Sequence, residues 1–159
     1  MGLNLNFSYK GFDLNITGAG AFGQQIAKSY RSFADSPLQN YTTDIFGRWT
    51  GEGTSNKLPR LTSGSHTNWQ NISDIYIEDG DYLKIQNLTI GYDFKKLFPT
   101  MPLGQARLYL TAQNLFTFTG YSGMDPEIGY GYDKSWVSGI DLGYYPSPRT
   151  YMVGVNLKF

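Results

Sequence analysis

A chain without cysteine and with a single histidine has few routes to covalent or metal chemistry. No thiolate nucleophile, disulfide framework or Cys-ligated zinc is possible, and a histidine-based site would rest on His66 alone, amid Ser, Gly and Thr. Asp125 and Glu127 flank Pro126. A glycosidase needs its two carboxyls across a cleft, whereas Asp-Pro at this spacing reads as a turn. Asp74, Glu78, Asp79 and Asp81 invite a calcium site, but their spacing is not that of an EF-hand loop and solvated loop acids account for them. The chain is therefore not read as an enzyme, and no cofactor is expected. Trp49, Trp69, Trp136 and Tyr121 could stack on a ligand or pack under a partner. Thirteen basic against 13 acidic residues give zero net charge, hence no electrostatic footprint for nucleic acid.

Strands, not helices, must position these residues. Gly, Pro and aromatic residues are abundant (19 Gly, 7 Pro, 13 Tyr, 10 Phe and 3 Trp in 159 residues). Leu3, Leu5, Phe7 and Tyr9 alternate with Asn4, Asn6 and Ser8. After Lys10-Gly11, Phe12, Leu14 and Ile16 alternate with Asp13, Asn15 and Thr17. Period two of this kind marks strands with one apolar face, and the pair reads as a hairpin. Alternation returns over 81–94, with a phase flip at Gln86-Asn87 that predicts a β-bulge. It continues over 105–118 (Ala106, Leu108, Leu110, Ala112 against Arg107, Tyr109, Thr111, Gln113) and 149–159 (Tyr151, Val153, Val155, Leu157, Phe159 against Asn156 and Lys158). Together with 2–9 and 11–18 this gives five strands. Between 18 and 73 the strand signal lapses; there the spacing of Phe22, Ile26, Tyr30 and Phe33 predicts a short amphipathic helix over Gln24–Ala34, ended by Pro37.

Such strands fit a soluble sandwich with one buried face. Three features favour a membrane barrel. Short and long connections alternate, as they do between the periplasmic and extracellular ends of outer-membrane barrels. Aromatic residues fall in two bands, Tyr9, Phe12, Tyr92, Phe94 and Phe159 near the short turns, and Phe116, Phe118 and Tyr121 near the long loops, as two headgroup levels require. The polar sides of the strands are too hydrophilic for a small closed core and suit a hydrated lumen. Five strands cannot close such a barrel, and open edges are intolerable in lipid. The chain thus reads as part of a larger barrel, with no signal peptide or plug domain, and Met1 as a truncation or mis-assigned start.

The runs Glu78–Tyr92, Leu108–Glu127, Asp141–Tyr151 and Val153–Phe159 resemble the carboxy-terminal end of the SusC/RagA-type TonB-linked outer membrane proteins of Bacteroidetes. The likeness is dense over 69–159 and looser before, in Tyr9–Leu14, Arg48–Thr50 and Pro59-Arg60. It implies an all-β, antiparallel up-and-down wall of a 22-stranded barrel with long extracellular loops. The implied function is import of glycan or peptide nutrients, with a SusD-like surface lipoprotein as lid and the TonB complex as energy source. Partners then include the remaining barrel and plug, and outer-membrane lipid. Under this reading Tyr151, Val153, Val155, Leu157 and Phe159 form the barrel-assembly signal. Arg107, Tyr109, Thr111 and Gln113 face lumen, plug or substrate, and Trp49, Trp69, Tyr121 and Trp136 lie on outer loops. The alternatives are a soluble β-sandwich carbohydrate-binding module and a small hydrolase.

Overall fold

The computed structural model describes residues 1–30, 42–61, 73–127 and 139–159, in two compact units. The first, residues 1–22, 81–120 and 146–159, is one five-stranded antiparallel sheet in the order β1 (Gly2–Tyr9), β2 (Phe12–Ala21), β5 (Tyr82–Asp93), β6 (Gln105–Thr119), β8 (Thr150–Lys158). Each strand neighbours the next long strand in sequence, which is the up-and-down order. The β1–β2 turn places Lys10 at φ 46° and Gly11 at φ 94°, and pairs Tyr9 with Phe12. Two positive φ values give the turn the twist of its flanking strands. At the same end, β5 passes into a 3-10 turn at Phe94–Lys96. Asp93 Oδ1 accepts from Lys95 N at 3.0 Å and from Ala106 N at 3.2 Å, tying that turn to the start of β6.

The phase flip at Gln86-Asn87 is a real bulge, one of two adjacent ones. Two steps along β2, Ile16 to Gly18, lie opposite three along β5, Ile85 to Leu88, and opposite four along β6, Ala112 to Phe116. Each bulge returns apolar side chains to the same face. Asn114 absorbs the second at φ 52°, a conformation Asn tolerates, and its side-chain amide donates to Pro148 O at 3.0 Å.

Among the described residues no second layer covers the apolar face. Leu108, Leu110, Val155 and Val153 are 41, 57, 60 and 71 % exposed, and Leu3, Leu5, Phe7, Phe12 and Ile90 are exposed beside them. The soluble-sandwich alternative required those four residues to be buried, and this overturns it. At the short-turn end Tyr92 packs tilted against Phe12 and edge-to-face against Phe94, at centroid distances of 4.4 and 5.2 Å, and Phe116 and Phe118 sit 6.4 Å apart toward the other end.

The second unit, residues 23–80 and 121–145, is built from the two long connections. Its sheet has the order β4 (Ile77–Asp79), β3 (Gln25–Lys28), β7 (Ile140–Asp141), with β3 antiparallel to β4 and parallel to β7. The helix expected over Gln24–Ala34 is thus wrong at its start: Gln25–Lys28 is a strand and 29–30 are helical, while 31–34 lie outside the described residues. Pairing on both sides won over a weak helical period, and buries Ile26. Gly80 is required beside it, because a Cβ there would meet Ile26 Cδ1 and Cγ1 at 2.6 Å.

Candidate functional site

The polar face of the sheet is a hydrogen-bonded wall. Its register sets Asp13 opposite Gly91, Gly91 opposite Tyr109, and Tyr109 opposite Gly154. The two glycines leave room for side chains from the strand between them. Arg107 reaches across Gly91 to Asp13, donating from Nε to Oδ1 at 2.8 Å and from its terminal nitrogen to Oδ2, the two-pronged geometry that suits guanidinium and carboxylate. A Cβ at Gly91 would lie 2.6 Å from both partners. The phenol ring of Tyr109 covers Gly154 on one side and the Arg107 guanidinium sits 4.9 Å from its centroid. Thr111 is buried and its hydroxyl lies 2.9 Å from that of Thr89. Asn15 donates to both Asn4 and Asn6 and accepts from Thr17, so β1 and β2 carry a continuous amide ladder. Gln113 is exposed. Of the four residues expected to meet plug or substrate, Arg107, Tyr109 and Thr111 are therefore held by neighbours in the wall, and Gln113 is open.

Sequence reading did not single out Asp13 or Lys84. Lys84, 2 % exposed, is the most buried cation of this unit, in register with Ala19 and Thr117 on the polar face. Asn87 Oδ1, at the bulge, is buried with no hydrogen-bond partner among the described residues. The residues expected to form the assembly signal alternate as read. Tyr151, Val153, Val155 and Leu157 lie opposite Ala112, Leu110, Leu108 and Ala106, all on the apolar face, and Phe159 follows the strand, exposed.

In the loop unit the chemistry is a buried charge network. Lys28 on β3, 7 % exposed, donates to Glu78 Oε1 on β4 at 2.6 Å and to the hydroxyl of Ser122. Glu78 also accepts from Ser122 N at 3.0 Å and Ser122 Oγ at 2.9 Å. Partial burial alone would raise the Glu78 carboxyl, but the hydrogen bonds from Lys28 and Ser122 outweigh it and hold it below the usual glutamate value. Asp141, 2 % exposed, accepts from Tyr121 Oη and Gly143 N, both at 2.7 Å. Burial, then the bond to Asp141, pushes the Tyr121 phenol far upward, so it stays a donor at any physiological pH. Both pairs link the β2–β5 connection or its neighbour across 20 or more residues of sequence, which no local spacing could reveal.

Tyr121 is consequently not where it was expected. At 6 % exposure it belongs to the loop unit's interior and not to an aromatic band or an open loop surface, because its hydroxyl is the partner a buried Asp141 requires. Trp49 is exposed; Trp69, Trp136 and His66 lie outside the described residues. Asp125 Oδ1 accepts from Glu127 N at 3.0 Å, a turn-closing bond in place of a catalytic pair. Among the described residues no three His, Asp or Glu side chains converge as metal ligands.

No family model matches the chain. Individual relatives do. TonB-dependent receptor P3 of Formosa agariphila is 35% identical over 164 residues, covering all of this chain and 16% of its own length. TonB-dependent receptor SusC of Bacteroides thetaiotaomicron is 29% identical over all of this chain and 15% of its own. Among solved structures, that of the RagAB peptide transporter superposes with a TM-score of 0.76 at 27% identity, over 99% of this chain and 17% of the neighbour. The chain thus spans about a sixth of the length of the proteins it matches. A single-layered sheet, apolar on one face and hydrogen-bonded on the other, together with these relatives, places the chain in the outer membrane as barrel sequence belonging to the SusC/RagA-type TonB-dependent receptors.

Proposed function

We propose that the chain forms part of the wall, lumen lining and outer loops of an importer of glycan or peptide fragments. In this reading the transporter is driven by the TonB complex and lidded by a SusD-like surface lipoprotein. The observation that carries it is the division of one sheet into an exposed apolar face and a polar face on which Arg107 pairs with Asp13, Thr111 with Thr89 and Asn15 with Asn6. Hydrocarbon accepts the first, and a hydrated lumen enclosing a plug accepts the second. The likeness to RagAB, a peptide importer, supports the peptide branch, and the family relationship to SusC supports the shared architecture. The β8 pattern from Tyr151 to Leu157 and the adjoining Phe159 serve as the assembly signal, since an edge strand offers main-chain bonds and alternate side chains to the insertion machinery. The test is uptake of labelled peptides and oligosaccharides by cells with and without the receptor gene, energised or treated with a protonophore. Uptake of one class should fall on deletion and on loss of the proton gradient. Uptake indifferent to both would overturn the proposal.

A further inference from the structure

Within the loop unit a cavity of about 1110 Å³ opens between the 3-10 turn Thr43–Gly47, the Ser55–Leu58 segment and the Asp74–Glu78 stretch, with Lys28 at its lining. Its volume lies just above the ~300–1,000 Å³ of typical small-ligand pockets. The walls are held by bonds of their own: Trp49 N donates to Leu58 O at 3.0 Å, Arg48 bridges Leu58, and Ser73 Oγ accepts from Ile75 N at 3.2 Å.

The lining chemistry discriminates between ligand classes. Lys28 and Glu78 neutralise each other at 2.6 Å and spend their remaining capacity on Ser122. Lys57 and Asp74 differ: both are exposed, both line the cavity, and among the described residues no hydrogen bond or ion pair engages the ammonium of one or the carboxylate of the other. Ile45, Leu58 and Ile75 supply apolar wall in the same lining. A sugar site usually presents open aromatic faces, but the lining aromatic here, Tyr76, is buried to 7 % exposure. Among the described residues a neutral saccharide would find no open ring to stack on, and it would leave both charges without a counterpart.

We propose that this cavity is a recognition subsite for short peptides with free termini. Lys57 takes the terminal carboxylate, Asp74 the terminal ammonium, and the Ile45, Leu58 and Ile75 surface an apolar side chain. This deepens the importer reading and rests on it for its biological purpose, whereas binding itself can be measured without transport.

The test uses the whole receptor, purified in detergent, and calorimetric titration with three probes: a pool of unmodified tetrapeptides, the same pool acetylated and amidated, and neutral maltotetraose. Unmodified peptides should bind, and capping should weaken them by about tenfold, the scale of lost charge-assisted hydrogen bonds. Lys57→Glu and Asp74→Lys, both exposed and outside the buried network, should each weaken the unmodified pool by about as much and leave the capped pool unmoved. Gly47→Phe should also block it, because Gly47 lines the cavity and a Cβ there meets nothing nearer than Leu58 Cδ1 at 3.9 Å. Unchanged peptide affinity in the two charge reversals would overturn the subsite, whatever Gly47→Phe does. Maltotetraose binding that these substitutions abolish would overturn the ligand class. If peptides bind as expected yet cells show no TonB-dependent uptake, the importer reading fails and the subsite stands; the converse result separates them the other way.

Discussion

The sheet and the loop unit solve the burial problem in opposite directions. The sheet exposes Leu110, Val153, Val155 and Phe118 and pairs Arg107 with Asp13 and Thr111 with Thr89 on its polar face, and it has almost no apolar interior: Ala106 and Ala112 are its buried apolar side chains. The loop unit encloses Ile26, Tyr76 and Tyr121 and buries charge with them, Lys28 and Asp141 each with a paired partner. One region takes its stability from an apolar solvent outside it, the other from aqueous exclusion within. The same amino-acid alphabet therefore carries different penalties in the two: a charge is forbidden where the sheet looks greasy and required where the loop unit is dry.

The strongest way to break that contrast is a charge on the apolar face. Val153→Arg should destabilise the receptor in its membrane by ~2–4 kcal/mol, as at the midplane of other barrels, read as a loss of the heat-modifiable folded form in the outer-membrane fraction. Val153→Ala should cost far less. Equal tolerance of both would mean that Val153 does not face hydrocarbon. The matching perturbation of the loop unit is Tyr121→Phe, which keeps the ring and deletes the donor to Asp141, leaving Gly143 N as the remaining donor to it among the described residues. A buried carboxylate short of one donor costs ~1–3 kcal/mol, and should appear as faster limited proteolysis of the two long connections while the sheet keeps its resistance. Unaltered cleavage would show that the network does not hold the unit.

A smaller effect is expected where the sheet is polar. Asp13→Asn removes the charge opposite Arg107 but keeps an acceptor, and both side chains are partly exposed, at 37 and 20 %. The cost should be no more than ~1 kcal/mol, in contrast to Val153→Arg three strands along the sheet. Gly91→Val at the same crossing sharpens the point, because its Cβ would displace the guanidinium itself. If Asp13→Asn proved as damaging as the apolar-face charge, the polar face would be a dry core and not a lumen wall.

These two regions were also unequally legible in the sequence. The sheet's side chains alternate over nine to 15 residues in β8, β2, β5 and β6, long enough for period two to stand out, and Gln86-Asn87 even announced the bulge. The loop unit's strands are four, three and two residues long. No period can show in so short a run, so Ile26 and Tyr30 were read as a helical stripe. The site residues follow the same rule. That Arg107 faces the polar side is written in its own strand, but that it meets Asp13 depends on a register carried across β5 and a glycine at the crossing. Tyr121 looked like a loop aromatic because Asp141, the residue that buries it, lies 20 positions on in another element.

The finest test separates the two regions by pH. The Glu78 carboxyl is held below its ordinary 4.5 in the folded unit by Lys28 and Ser122. A depressed value means that the ionised form favours folding: the contribution is complete above 4.5, and is lost as pH falls through the lower, folded value. Proteolytic protection of the long connections should therefore be flat from neutrality to just above 4.5 and decline below it, while the heat-modifiable sheet is unaffected over that range. Glu78→Gln, which cannot ionise, should remove this part of the acid sensitivity and lower protection at neutral pH by a modest amount, since Glu78 is only partly buried. An identical acid midpoint in the wild type and the variant would place the sensitivity elsewhere. A sheet that loosened in step with the loops would mean that the two regions do not draw on separate sources of stability.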